Sequence, residues 1–285
     1  MQPTLFSRFL GCLGLSLVWG STPNPEILLA QWQTHWPAGV RITSSHLDLA
    51  VDHWPHWLVL ALWEHDCPST FQNQLAQTGS DWSWGLAVWQ NLLSLILRNR
   101  LESQHLACLC QNPDSLLLPG CAPAWAGVWL TEIAQLWTLR PALQHLRTEF
   151  QRRLPAHLPI SSPLIDLGLA LYLWGDTPQH PYLIQGRGRK ILSPPFLLWS
   201  GALTGAYLGS WALEYALRQP EVRDTMVTSP REFYQALEVF SQHFYQVWQG
   251  ALTPAQPSMG RGFPLTAASA VIQARSGLKL ISQCE

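Results

Sequence analysis

The sequence predicts an all-α fold, a compact helical bundle in a single domain over residues 1–285. Apolar residues recur at helical spacings of three and four along most of the chain, and no series of alternating apolar and polar residues bounded by hairpin turns appears. The chain is 47% hydrophobic and 12% charged and holds 16 tryptophans, a composition that excludes disorder and supports a large buried core. No linker-like segment divides it.

The first half of the chain contains five predicted helices. They cover residues 5–19, 27–36, 57–64, 82–101 and 124–137. Pro55 suits the first turn of the third helix. Ser80 or Asp81 can cap the fourth helix, and the arginines near its end favour a helix C-terminus.

The second half contains five further predicted helices, punctuated by proline and serine. They cover residues 143–154, 163–174, 194–213, 229–248 and 265–275. Pro141 bends or restarts the chain before the first of these. Ser161 or Ser162 can cap the second, and Ser229 and Glu232 have the spacing of a capping box.

The stretch "GALTGAYLGSWAL" places glycines at positions 201, 205 and 209 within a predicted helix. Each glycine costs roughly 1 kcal/mol relative to alanine in a helix interior, so a close approach must use the missing side chains. A membrane helix, a closely packed soluble core and a nearby ligand are the three explanations. We favour a buried helix packed against the Gly11 and Gly14 face of the first helix.

Two segments bear on membrane attachment and export. Residues 191–213 carry no charge and contain the GxxxGxxxG pattern of membrane helix pairs, but Pro194, Pro195 and several hydroxyls keep their hydropathy modest. The opening segment could be a secretory signal cleaved after Gly20, although Arg8 is its only basic side chain. We therefore expect a cytoplasmic protein, with membrane attachment or export as the alternative.

The net charge bears on the class of partner, and the cysteine content bears on the redox state of the chain. Seventeen Lys and Arg residues against eighteen Asp and Glu residues give a net charge of -1, so no nucleic-acid partner is expected. The six cysteines form no CxxC motif and are too sparse for a disulfide framework. We interpret them as reduced, buried side chains.

The densest group of polar side chains lies in "HLDLAVDHWPHWLVLALWEHDCP". It comprises His46, Asp48, Asp52, His53, His56, Glu64, His65, Asp66 and Cys67. Pro55 interrupts the register within this group and no HExxH spacing occurs, so we expect a tryptophan-lined helix with polar ends rather than a metal site.

Two further motifs carry weak signals for chemistry. "GRGRK" at residues 186–190 matches neither a phosphate-binding loop nor a dinucleotide fingerprint, so we interpret the polar segment 175–190 as a solvated turn region. No GxSxG elbow is present, and the scattered histidines define no nucleophilic triad. No catalytic residue is predicted.

Three segments resemble the ADP-ribosylglycohydrolase family. "SRFLGCLGLSLVWGS" at residues 7–21 looks like the family's opening helix, which runs into a Gly-Asp turn. "GALTGAYLGS" at 201–210 looks like its late small-residue helix, and "SDWSWGLAVWQNLL" from Ser80 is a weaker match to the helix after its acidic pair. The resemblance implies a compact α-helical fold with a two-metal magnesium or manganese centre that cleaves ADP-ribose from a protein side chain.

The chain departs from the family at each acidic turn. Ser21 stands where the family has aspartate, and Asp81 stands alone where a Thr-Asp-Asp run is expected. The segment "SPPFLLWS" replaces the acidic turn before Gly201, and Asp176 in "GDTP" lies too early to substitute for it. Since hard cations need several oxygen ligands, these departures argue against the two-metal chemistry.

The sequence thus predicts a non-catalytic protein with an ADP-ribosylglycohydrolase-like fold that binds an ADP-ribose-like ligand or a partner protein. Candidate ligand-binding residues are Ser21, Asp81 and Asp176, and no cofactor is expected. An active hydrolase remains the enzymatic alternative, with magnesium or manganese held by residues such as Asp48, Asp52 or Asp166.

Overall fold

The computed structural model describes residues 3–20, 24–35, 54–66, 71–73, 75, 82–98, 101, 105–112, 116, 123–158 and 160–249. Most of these residues are helical, and none of them lies in a strand. The predicted all-α class is confirmed. The predicted helix at 265–275 lies outside the described residues.

The described ranges contain the following thirteen α-helices. They are α1 Leu5–Gly20, α2 Pro25–His35, α3 Trp54–Trp63, α4 Trp82–Leu97, α5 Leu106–Gln111, α6 Ala124–Leu139, α7 Leu146–Arg153, α8 Ser162–Asp176, α9 Pro181–Ile191, α10 Pro194–Leu208, α11 Ser210–Leu217, α12 Pro220–Arg223 and α13 Pro230–Trp248. A 3₁₀ turn at Leu143–His145 precedes α7. The restart after Pro141 is therefore confirmed.

Helices α1 and α10 form the antiparallel centre of the fold. A Cβ atom added to Gly11 would lie 2.5 Å from the carbonyl oxygen of Gly205, and one added to Gly201 would lie 2.8 Å from that of Leu15. Near the end of α1, Gly20 packs directly against Leu198. The predicted contact of the glycine stretch with Gly11 is confirmed. Gly14 instead faces Leu213 of α11 and Leu237 of α13.

Helices α8 and α10 run parallel to each other. The Ser200 hydroxyl donates to the Ala170 carbonyl at 3.2 Å, and one helical turn or more further along, the rings of Trp174 and Tyr207 meet edge to face at 6.0 Å. Because the residue numbers of the contacts increase along both helices together, α8 and α10 run in the same direction.

Helices α4 and α6 share this direction. The rings of Trp89 and Trp199 meet at 5.9 Å between α4 and α10, and nearer the ends of both helices the Arg8 guanidinium donates to the carbonyls of Ile96 and Ala206. Two indole N–H groups tie α6 to α8: Trp129 donates to the Leu164 carbonyl and Trp137 donates to the Tyr172 carbonyl. The starts of α4, α8 and α10 therefore lie at the same end of the bundle as the last turn of α1.

The glycine stretch is not one helix, which corrects the sequence prediction. Gly209 ends α10 with φ 74° and ψ -162°, a conformation available almost exclusively to glycine, and α11 begins at Ser210. The Ser7 hydroxyl lies beside this break and accepts a hydrogen bond from the Ser210 N–H at 3.0 Å. Among the described residues, no helix combines the length and apolar character needed to cross a bilayer.

The prediction of a turn region over residues 175–190 is partly wrong, since "GRGRK" lies within helix α9. Gly188 faces inward, where an added Cβ would strike the side chain of Leu197. Gly186 faces outward, with nothing within 4 Å of an added Cβ. Close packing on one face therefore explains one glycine of the pair.

Both predicted N-caps of the later helices are present. Ser161 caps α8 by accepting a hydrogen bond from the Leu164 N–H at 3.5 Å. At the start of α13, the Ser229 hydroxyl accepts from the Glu232 N–H at 3.3 Å while the Glu232 carboxylate accepts from the Ser229 N–H at 2.9 Å. This reciprocal pair confirms the capping box.

Candidate functional site

The residues flanking two predicted site positions lie at one end of the bundle, which we call the Gly20 end. It comprises Gly20, Trp82, Ser162 and Pro194, the last residue of α1 and the first residues of α4, α8 and α10. Ser21 and Asp81 follow and precede two of these residues in sequence but lie outside the described residues. Two of the segments that carry the family resemblance, residues 7–21 and the segment from Ser80, therefore have described parts at this end, whereas residues 201–210 pack against the earlier turns of α1.

The chain enters α10 at the Gly20 end without an acidic side chain. Ser193 occupies the N-cap position without a side-chain capping bond, and two prolines form the first turn. Leu197 and Leu198 then enter the core. The segment "SPPFLLWS" thus starts a buried apolar helix.

Asp176 lies at the opposite end of α10. It is the last residue of α8, two positions beyond the Trp174 ring that packs on Tyr207 near the end of α10. Its carboxylate forms an ion pair with Arg187 of α9 at 2.5 Å. Burial raises the pKa of the nearby Tyr172 phenol, and the negative charge of Asp176 adds to that rise. Asp176 therefore joins α8 to α9 and does not meet Gly20 or Trp82.

Asp166 is the described carboxylate in the early turns of α8, toward the Gly20 end. Its side chain is largely buried and forms an ion pair with Arg147, whose guanidinium also donates to the Ile191 carbonyl at 3.0 Å. Two effects act on this carboxyl in opposite directions. Burial raises its pKa above the usual value, while the charge and hydrogen bond of Arg147 lower it, and burial prevails. The carboxylate is thus already engaged by an internal cation.

The core layer beneath the Gly20 end is aromatic. Trp19 packs close to Gly201, and Trp89 meets Trp199 across the α4–α10 contact. Within the described part of the chain, the indole N–H groups of these three tryptophans are buried without a hydrogen-bond partner. This layer therefore presents donors and ring faces, whereas magnesium and manganese require oxygen acceptors.

The polar group around α3 is divided between described and undescribed residues. Glu64 and His65 are buried at the end of the helix, and the His65 ring lies 4.7 Å from Trp248 and 5.3 Å from Phe9 between ring centroids. His65 Nδ1 also contacts the Leu62 carbonyl oxygen at 2.6 Å. The histidine is thus part of an aromatic cluster where α3, α1 and α13 meet.

Asp66 follows His65 and is also described, whereas the other six members of that polar group have no described side chain. They are His46, Asp48, Asp52, His53, His56 and Cys67. Among the side chains that are described, no group of three or more His, Cys, Asp or Glu residues converges as a metal site would require.

Sequence reasoning missed the arginines that bind helix ends. Arg8 is 6% exposed, and its guanidinium donates to the Ile96 carbonyl at 2.7 Å and to the Ala206 carbonyl at 3.3 Å, near the ends of α4 and α10. Arg98 similarly donates to the Asp66 carbonyl at 2.7 Å beyond α3. A cation at a helix C-terminus complements the helix dipole. The sequence does contain a signal for Arg8. It is a lone charge inside an apolar helix, so its buried guanidinium requires hydrogen-bond acceptors within the protein.

Comparison with known proteins returned no relative: the chain matches no protein-family model, no curated protein and no solved structure. The family resemblance accordingly stays a prediction based on the three segments.

Proposed function

We propose that this chain is a non-catalytic binding module with an ADP-ribosylglycohydrolase-like fold. Its ligand is an ADP-ribose-like molecule or a protein that carries one. The proposal is supported by the antiparallel contact of α1 with α10, which joins residues 7–20 to residues 201–209, and by the position of Gly20 and Trp82 at one end of the bundle. These residues are described parts of the segments that resemble the family.

The engagement of Asp166 and Asp176 by arginines carries the non-catalytic part of the proposal. Asp166 is paired with Arg147, and Asp176 is paired with Arg187 at the far end of α10. A two-metal centre requires several free carboxylates on one site, because each ion takes six oxygen ligands. Binding needs no such cluster, and helix N-termini favour anionic groups such as phosphates.

We propose a cytoplasmic location for this activity. The described cysteines 12, 108 and 110 are free thiols; Cys12 and Cys110 are buried as predicted, whereas Cys108 is exposed. Free thiols fit a reducing compartment.

A turnover assay tests the proposal. Purified protein is incubated with peptides ADP-ribosylated on arginine or serine, with magnesium, with manganese or with EDTA, and released ADP-ribose is quantified. We expect no release above the protein-free control in any condition. Metal-dependent release that EDTA abolishes would contradict the proposal.

The enzymatic alternative is favoured by one observation, the buried Asp166 carboxyl near the Gly20 end. If Asp166 were a metal ligand, Asp166→Asn would abolish metal-dependent release while Asp176→Asn, at the opposite end, would leave it intact. Under our proposal neither substitution changes a release that is absent in the native protein.

A further inference from the structure

Helix α11 exposes a stripe of side chains along one face. Trp211, Glu214, Tyr215 and Arg218 are exposed and follow the spacing i, i+3, i+4 and i+7. The opposite face of α11 is buried against the protein. An exposed stripe with this spacing has the form of a contact face for another helix.

The chemistry of this α11 stripe is that of an interface. Trp211 is 56% exposed and Tyr215 is 38% exposed, and their rings stack at 5.9 Å with an interplanar angle of 22°. Tryptophan, tyrosine and arginine are the residues that contribute most often to the binding energy of protein interfaces. Tyr182 on the neighbouring helix α9 is also exposed, at 61%.

The stripe carries one negative charge, on Glu214, and one positive charge, on Arg218. Within the described residues, neither Glu214 nor Arg218 takes part in an ion pair. A partner of uniform charge would attract one of them and repel the other. A partner carrying the same stripe in the reverse direction would satisfy both.

We infer that the α11 stripe binds a second copy of this chain in a two-fold symmetric, antiparallel helix pair. With the axis between Glu214 and Tyr215, Arg218 of the second copy lies over the face of Trp211, where a guanidinium is attracted to the ring. Glu214 then lies beside Tyr215 of the second copy and within reach of its Arg218. Each interaction occurs twice because the interface is isologous.

Charge reversal tests the inference. Sedimentation velocity of the full chain over a concentration series is expected to show a monomer–dimer equilibrium. Glu214→Arg and Arg218→Glu each place like charges across the two-fold axis, and each is expected to raise the dimer dissociation constant about thirtyfold or more. An equal mixture of the two variants is expected to restore dimers, since one copy then presents only basic and the other only acidic side chains.

Controls separate this interface from effects on folding. Arg152→Glu reverses an exposed charge on α7, a helix that packs on α6 and α8, and is expected to leave the dimer intact, whereas Trp211→Ala is expected to weaken it as much as the charge reversals do. Circular dichroism melting should be similar for all variants, because every altered side chain is exposed. A monomer at every concentration, a dimer insensitive to Trp211→Ala, or a variant mixture that stays monomeric would each overturn the inference.

Discussion

Gly11 and Gly205 bring the backbones of α1 and α10 into direct contact. A Cβ atom added to Gly205 would lie 2.7 Å from the Cys12 amide nitrogen, closer than real Cβ contacts allow. Because backbone atoms cannot rotate away as a flexible side chain does, a methyl group at this crossing must separate the helices. The contact explains why the chain tolerates glycine within a helix here.

Gly205→Ala is therefore expected to lower the free energy of unfolding by about 2–4 kcal/mol, through overpacking at the helix crossing. Gly186→Ala is the matched control, because Gly186 lies in helix α9 with open space around it. This control is expected to raise stability by about 0.5–1 kcal/mol through helix propensity alone. Urea denaturation of both variants gives the comparison, and equal effects would contradict the backbone contact.

A side chain at Gly209 is expected to be destabilising for a second reason, the backbone conformation of this residue. Its backbone conformation, φ 74° and ψ -162°, is strained for any residue with a Cβ, and an added Cβ would lie 2.7 Å from Pro3 Cβ. Gly209→Ala is expected to cost about 2–4 kcal/mol. Gly209→Asn should give no relief, since asparagine tolerates the left-handed helical region but not this ψ value.

Ser7→Ala isolates the hydrogen bond at the same break. It removes the acceptor of the Ser210 N–H without adding a clash and is expected to cost about 1 kcal/mol. Thermal or urea denaturation of the two variants distinguishes strain from the lost bond. The strain explanation fails if Gly209→Ala costs no more than Ser7→Ala.

Arg8 is expected to be a strong determinant of stability despite its charge. Burial lowers the pKa of its guanidinium, while hydrogen bonds to the carbonyls of Ile96 and Ala206 offset the desolvation of the charge. Arg8→Met leaves these buried carbonyls without their donor and is expected to cost about 2–4 kcal/mol in urea denaturation. Arg231→Met, at an exposed position, should stay within about 0.5 kcal/mol of the native protein. Equal stability of the two variants would show that the buried guanidinium stabilises nothing.

Glu26 predicts a pH-dependent contact between α2 and the segment before α13. Its carboxylate accepts hydrogen bonds from the Thr228 N–H at 2.7 Å and the Val227 N–H at 3.2 Å. Burial alone would raise the pKa of Glu26, but these hydrogen bonds outweigh it and hold the pKa below its usual 4.5. A pKa lowered by folding means that the stabilisation is complete above pH 4.5 and is lost as the pH falls through the folded-state pKa.

Glu26→Gln is accordingly expected to lower stability by about 0.5–1 kcal/mol at pH 7, after allowance for solvent screening of a partly exposed group. The difference from the native protein should shrink as the pH falls below 4.5. Urea denaturation across this range measures it. A difference that is constant with pH would show that the carboxylate charge does not contribute.

The sequence predicted the helices that have strong local signals. Long apolar periodicity located α1, α4, α6 and α8, and the Ser229–Glu232 pair located the start of α13. The prediction of one continuous helix through Gly209 was wrong. The four-residue spacing of Gly209 from Gly205 is the same whether the glycine lies inside a helix or ends it. Helix α9 was missed because glycine and charge are typical of turns, whereas tertiary packing of Gly188 on Leu197 outweighs that propensity.

The candidate site residues stay predictions. Asp176 was selected from a local "GDTP" pattern, and the parallel course of α8 and α10 places it at the end of the bundle opposite Gly20. The pairing of Asp166 with Arg147 joins residues of two different helices, and no local pattern encodes such a pair. Ser21 and Asp81 lie outside the described residues, so their assignment stays a prediction.

Calorimetric titration of the full chain with ADP-ribose tests the central claim, binding without metal chemistry, most directly. We predict saturable binding with the same dissociation constant in manganese and in EDTA, with the ligand recovered intact afterwards. Binding that appears only with manganese, or no binding in either condition, would contradict the account.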